Sequence, residues 1–403
     1  MLIGLALTAW SLSIGPPADG PPPRERVFED VLADYDAAAR RQAREAPPYV
    51  VPEPYELAAV ILSLTEVGAG LTADTPYAAA VREHFGAFRD HPAVAAATRG
   101  DRPGEADGFF DYIEFRENAY AYCFDDEGGD RGRLYRCQPF SHVWGRQANA
   151  FARNLDLIED FARVSAFRAF YEEHEEHYAE LADDLMGKAD ILAMRDWLDA
   201  RFPVRVDAMQ VAFSPLTDGS HSTQRIEDGD FVAVAMFVQP VSEIPPDQRF
   251  RVERMLFTEL DHNYVNPTIT DAQAAHLDQG AFADPYWVQG GSTDAYGDGF
   301  AVFAEYATWA LYEVWATEQP GTDAAALRAY LDAFMQDDRG FVRYRAFADE
   351  MTRLYREEAA KGEPVFVPAL YPGLIAWGDD LAEREASSEA ETAKTRVDQT
   401  ERD

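Results

Sequence analysis

Apolar residues recur at three- and four-residue spacing through most of the first half of the chain. The segments "RVFEDVLADYDAAARRQAREA", "EPYELAAVILSLTEVGAG" and "YAAAVREHFGAFRDH" each carry one apolar stripe and predict amphipathic helices. The same spacing runs through "FFDYIEFRENAYAYCF" and the stretch from Ala148 to Ala200. The pattern then changes. "VRVDAMQVAFSPL" (204–216) and "DFVAVAMFVQP" (230–240) alternate roughly, as strands do, around the turn cluster "TDGSHST". That arrangement predicts two adjacent antiparallel strands joined by a loop. Helical spacing returns at about 246–264, 270–280, 297–317, 322–336 and 340–360.

The expected fold class is therefore α+β, predominantly helical, with a short antiparallel sheet. Four regions follow: a leader over 1–23, a helical region over 24–200, a strand pair with helices over 201–382, and a tail over 383–403. The tail lacks a core face and is expected to be disordered and solvated.

The leader "MLIGLALTAWSLSIGPPADGPPP" holds one apolar run from Leu2 to about Ile14, too short to span a bilayer and of signal-peptide length. No Lys or Arg precedes it, so a hydrophobic arm packed on the domain is the competing reading. Cys123 and Cys137 flank a polar, glycine-rich turn. Taken with the leader, they are expected to form a disulfide in a periplasmic or secreted protein, with two buried thiols as the alternative. A bridge closing such a loop stabilises by roughly 3 kcal/mol.

Charge changes the picture of partners. Lys plus Arg number 36 against 72 Asp plus Glu, a formal charge of −36. Such a surface repels nucleic acid and anionic membranes, so nucleic acid is excluded as a general partner. No membrane insertion is expected beyond the leader.

Candidate chemistry centres on "MLFTELDHNYVNPT" (255–268). The pattern is H-E-x-x-H with Thr258 in place of the first histidine. In that motif two histidines one turn apart grip a zinc ion and the glutamate beside the first activates water. Here the helix offers His262 as a donor and Glu259 as a candidate base. Two further donors are Glu305, in "GFAVFAEYATWALYEVW" beside Tyr306, and His221, in "SPLTDGSHST". His221, His262 and Glu305 make a His₂Glu set, the ligand chemistry of a catalytic zinc. Asp261 is a further candidate, offset by about 100° from His262.

Five blocks, "EPYELAAVILSLTEVG", "VAFSPLTDGSHST", "LFTELDHNYVNP", "FAEYATWALY" and "VPALYPGLIAW", together resemble a family of bacterial exported proteins catalogued as a domain of unknown function. Many of its members carry H-E-F-x-H-x-(F/Y)-V-N-P and a downstream glutamate helix, as gluzincin metallopeptidases do. The resemblance spans roughly residues 50–380, in the family's order. It implies a zincin-like core, with Glu259 as water-activating base, His262 and Glu305 as zinc ligands, and Asn266 and Pro267 ending the helix. It also implies that the helix bearing His174 and His177 borders the substrate, with His177 in contact. Thr258 is the departure from that pattern. Two functions follow: an exported zinc-dependent hydrolase acting on a peptide or protein, or a metal-free relative that binds a peptide, glycan or protein.

Overall fold

The computed structural model describes residues 37–98, 109–125, 132–138, 150–218, 221–241, 244–245, 248–283, 285–290, 296, 298–362 and 364–400. The leader and His142 lie outside the described residues, as do 291–295 and 297 of the glycine-rich segment "VQGGSTDAYGDG" (288–299).

Helices dominate, with a small mixed sheet, so the fold class is α+β. The chain divides into two units. The first combines the N-terminal region through Ile191 with Val206–Glu259; the second combines Leu192–Arg205 with Leu260 onward. The strand region 206–259 thus falls in the first unit, and the helices from Leu260 onward in the second. The reason is the sheet.

In chain order the strands are β1 (Tyr49–Val50), β2 (Tyr122–Phe124), β3 (Leu134–Arg136), β4 (Ala208–Phe213), β5 (Ser222–Asp228) and β6 (Phe231–Val238). Four of them form a sheet in the order β1-β4-β6-β5. Tyr49 and Val50 pair in parallel with Val211 and Ala212, which ties β4 to the N-terminal segment. The strand β4 also runs parallel to β6, in register from Ala208↔Ala233 to Phe213↔Val238. This corrects the antiparallel pairing expected of the two apolar runs. A third strand intervenes: β5, "STQRIED", pairs antiparallel with β6 and reverses the direction a second time. Its polar composition hides it in a sequence reading. Gly229, at φ 61°, makes the tight turn from β5 into β6 as the first of two turn residues.

The inner strands read as continuous apolar runs because both faces are covered. Ala233 to Val238 are all buried. Helices of the first unit pack an aromatic core around Phe85, which stacks on Phe161 and meets Phe170 edge-on at 4.9 Å. A separate hairpin of β2 and β3 carries the Cys123–Cys137 disulfide, with the Cα atoms 5.8 Å apart. The bridge agrees with the oxidising location expected from the sequence.

The second unit is built around one helix, Gly299–Glu318, in which every residue from Ala301 to Ala316 is buried. A helix buried on all sides is the core of its unit rather than an amphipathic cover. Phe303, Tyr306 and Trp287 pack with Phe347 around it. The C-terminal helix runs from Tyr371 to Thr400, so the backbone stays helical where the sequence reading gives a tail without structure. "EREASSEAETAKTR" contains no Gly or Pro and is rich in Ala, Glu, Lys and Arg, strong helix formers that need no core face. Among the described residues no helix is long and apolar enough to cross a membrane.

Candidate functional site

The motif helix spans Arg249–Val265 and is buried from Val252 to its end. No Gly or Pro interrupts it. It stops at Asn266-Pro267, where the backbone tightens into a 3₁₀ turn over Asn266–Thr268. The Thr268 hydroxyl stands 2.8 Å from the Tyr264 carbonyl and 2.9 Å from that of Val265, satisfying terminal acceptors. The division between units falls in this helix, between Glu259 and Leu260.

Thr258, at the position of a first zinc ligand, donates its hydroxyl to the Arg254 carbonyl one turn back, at 3.0 Å. This back-bond is the usual fate of a threonine inside a helix. Glu259 and Asp261 are both buried. Asp261 contributes to the setting of Tyr371, whose phenol is raised chiefly by burial and additionally by the Asp261 charge, against a hydrogen bond with Thr268.

His262 and Glu305 come together within the second unit. His262 Nε2 lies 3.3 Å from Glu305 Oε1, both side chains being nearly fully buried. The opposite ring nitrogen, Nδ1, faces Asn266 Oδ1 at 3.4 Å. A neutral imidazole donates from one nitrogen only. Nε2 approaches the carboxylate without hydrogen-bond alignment, whereas a proton on Nδ1 is placed for donation to Asn266 Oδ1.

The other carboxylate oxygen, Glu305 Oε2, accepts from Trp309 Nε1 at 3.1 Å and from Arg339 Nη1 at 3.0 Å. Arg339 is 1 % exposed and Glu305 2 %, so this is an ion pair removed from water. The guanidinium also donates to the Tyr296 hydroxyl at 2.5 Å. It lies over the rings of Trp309 and Phe341, 5.0 and 4.9 Å from their centroids, a cation–π setting that offsets part of the lost hydration.

Local backbone irregularity delivers Arg339 to this point. A π-helical turn, Ala333–Asp338, precedes it, and the Arg339 N–H reaches back to the Phe334 carbonyl at 3.0 Å. Such turns re-aim the residue that follows them. Gly340 comes next at φ 87°. A Cβ at Gly340 would lie 2.6 Å from the Gly290 carbonyl oxygen, so only glycine lets the two backbones approach.

The remaining sequence candidates fall elsewhere. His221 is buried in the first unit, directly before β5. His177, also in the first unit, is half-buried with its ring 5.5 Å from that of Tyr77; burial lowers its pKa, against the raising effect of Glu180. Tyr306 serves the core: its hydroxyl donates to the Trp287 carbonyl at 2.6 Å and accepts from the Arg343 N–H at 3.1 Å.

A zinc ion imposes its own geometry on such a donor set. Two ligands on one tetrahedral zinc stand about 3.4 Å apart, given bond lengths near 2.1 Å. The 3.3 Å between His262 Nε2 and Glu305 Oε1 matches that edge. Catalytic sites, however, supply three protein donors. Among the described residues no group of three or more His, Cys, Asp or Glu side chains could hold a metal ion. Glu305 moreover shares its charge with a buried arginine, which opposes a second cation on the same carboxylate. The residues present do not fit the ion well.

Arg339, Trp309 and Tyr296 were not singled out from the sequence. Their one visible signal is weak: an arginine before a glycine, in a segment that otherwise reads as helix. No protein-family model, curated protein or solved structure matches this chain.

Proposed function

We propose that this chain is an exported, metal-free binding protein built on a zincin-like core, with a peptide or protein segment as its partner. The Arg339–Glu305 ion pair carries this reading. The carboxylate that a gluzincin gives to zinc is here neutralised by a guanidinium 3.0 Å away and 1 % exposed. Thr258 turns its hydroxyl to its own helix, so the first ligand position holds no metal donor. Glu305, Arg339 and Trp309 then form a buried hydrogen-bonded network, with His262 3.3 Å from its carboxylate. The disulfide and the apolar leader support export to the periplasm or the exterior. A formal charge of −36 favours partner segments rich in Lys and Arg over acidic ones.

A zinc-dependent hydrolase is the second reading, favoured by the tetrahedral-edge spacing of His262 and Glu305. It needs a third donor, for which the sequence offers His221, and it makes Glu259 the base. Hydrolysis of a mixed peptide library with zinc supplied separates the two. Wild type and Glu259→Gln are expected to show the same background rate. A zinc-dependent rate that Glu259→Gln abolishes would establish the hydrolase instead.

A further inference from the structure

The helix Ala37–Glu45 lies against the sheet of the first unit, fastened by two arginines one turn apart. Arg40 reaches the turn between β5 and β6. Its Nη1 donates to Asp230 Oδ1 at 2.8 Å, and its Nη2 to the Asp228 carboxylate and carbonyl, both at 3.0 Å. Arg44 reaches the start of β4, its Nη2 3.4 Å from Asp207 Oδ1. Both guanidinium groups also lie over the Phe231 ring, 5.2 and 5.0 Å from its centroid, at cation–π distance. Ala39 and Ala43, spaced like the arginines, pack with Ile226 against Ala208, Phe231 and Ala233.

The attachment is weak by construction. A helix of nine residues does not hold itself in water. Its ion pairs are open to solvent: Asp230 is 92 % exposed and Arg44 49 %. Pairs of that kind stabilise little and are screened by salt. The chain just beyond the helix is tied into the sheet instead. The Pro47 carbonyl accepts from Gln210 Nε2 at 3.2 Å and the Pro48 carbonyl from the Val211 N–H at 2.7 Å. A helix so placed opens locally while β1 stays paired. We propose that its seat docks a helical segment of a partner protein, one carrying two arginines a turn apart beside alanine-sized residues, and that Ala37–Glu45 fills the seat in cis until displaced.

Charge and shape both select such a partner. Asp207, Asp228 and Asp230 face two guanidinium groups, so the seat itself is acidic once the helix leaves, on a chain of formal charge −36. The bonds and packing above come from arginine and alanine side chains, so another helix with that spacing makes them equally. The tethered helix competes at a high effective concentration. The apparent affinity of a partner is therefore the intrinsic one reduced by the fraction of chains whose seat is open. The seat shares no residue with the His262–Glu305 pair, so its test leaves both functional readings untouched.

The probe is a fluorescent peptide with the sequence of residues 37–46, held helical by a side-chain amide between Arg41→Lys and Glu45, both exposed positions. Fluorescence anisotropy measures its binding to the full chain. Wild type is expected to bind weakly. Arg40→Ala with Arg44→Ala loosens the resident helix and should tighten binding at least about tenfold. Adding Asp228→Asn and Asp230→Asn should undo that gain, and a peptide with glutamine in place of Arg40 and Arg44 should not bind. Amide exchange of wild type needs no variant: saturating peptide should lower the protection of segment 37–45 at least about tenfold. Equal binding by wild type and the arginine variant, equal binding of the glutamine peptide, or unchanged protection of 37–45 overturns the proposal. So does a wild-type dimer that Asp228→Asn with Asp230→Asn dissolves, which gives the seat to a second copy of the chain.

Discussion

Arg339→Met is expected to destabilise the second unit by about 3–5 kcal/mol, the usual cost of removing one partner from a buried ion pair. The variant leaves the Glu305 carboxylate in a site 2 % exposed, with Trp309 Nε1 and His262 as remaining neighbours. It also strips the cation from above the Trp309 and Phe341 rings and leaves the Tyr296 hydroxyl without that donor. Methionine preserves most of the stem volume, so the loss is electrostatic rather than a cavity effect. The companion is Glu305→Gln with Arg339→Met. Removing both charges takes away the uncompensated one, and the double variant should recover more than half of the single loss. Urea denaturation followed by tryptophan fluorescence measures both. A single variant within about 0.5 kcal/mol of wild type, the range of ordinary surface changes, would show that the pair does not organise the unit.

The second large effect is a gain. Thr258→His restores a second imidazole one turn before His262, where two side chains share a face of the helix. His262 Nε2 already stands at ligand spacing from Glu305 Oε1. With the third donor added, the variant is expected to bind about one zinc per chain, as sites with two histidines and a glutamate do. Zinc affinity should rise at least about a hundredfold over wild type, equivalent to about 2.7 kcal/mol. Adding Arg339→Met to Thr258→His should tighten binding further, because the competing cation is gone. Isothermal titration with zinc chloride gives both values. If Thr258→His binds zinc no better than wild type, position 258 does not face the His262–Glu305 pair and the zincin-like core is the wrong description.

Much of the fold was legible along the chain, for reasons that differ by element. The helix Glu53–Ser63 and the helix Gly299–Glu318 announce themselves by length and composition, with Pro54 and Gly299 confined to their first turns. β4 and β6 are apolar runs, and such runs are visible in any sequence. β5 escaped because "STQRIED" sits at the edge of its sheet, where one flank of the strand is unpaired and polar residues are tolerated. With β5 unseen, the pairing of β4 with β6 reads as antiparallel. The two-residue β1 was equally hidden, and with it the bond between the N-terminal segment and the sheet that sets the division into units.

The site was half legible. His262 could be named because it belongs to a motif with fixed spacing, and Glu305 because the resemblance supplies a downstream glutamate helix; the two side chains stand 3.3 Å apart. Arg339 had no such signal. Its place depends on a π-helical turn and on a glycine that lets the Gly340 backbone approach Gly290, and both are products of tertiary packing. Glu56 looks like an ordinary first-turn glutamate, the residue that favours a helix N-terminus. Only the folded chain shows Tyr77 bonded to it and Tyr178 behind Tyr77.

The most direct test of the central claim is the zinc content of the full chain, purified without chelator, equilibrated with micromolar zinc and measured by elemental analysis. If Arg339 has taken over the neutralisation of Glu305, fewer than about 0.1 zinc per chain will be retained, since a true site is stoichiometric. Retention of about one zinc per chain, lost on His262→Ala, would contradict the account.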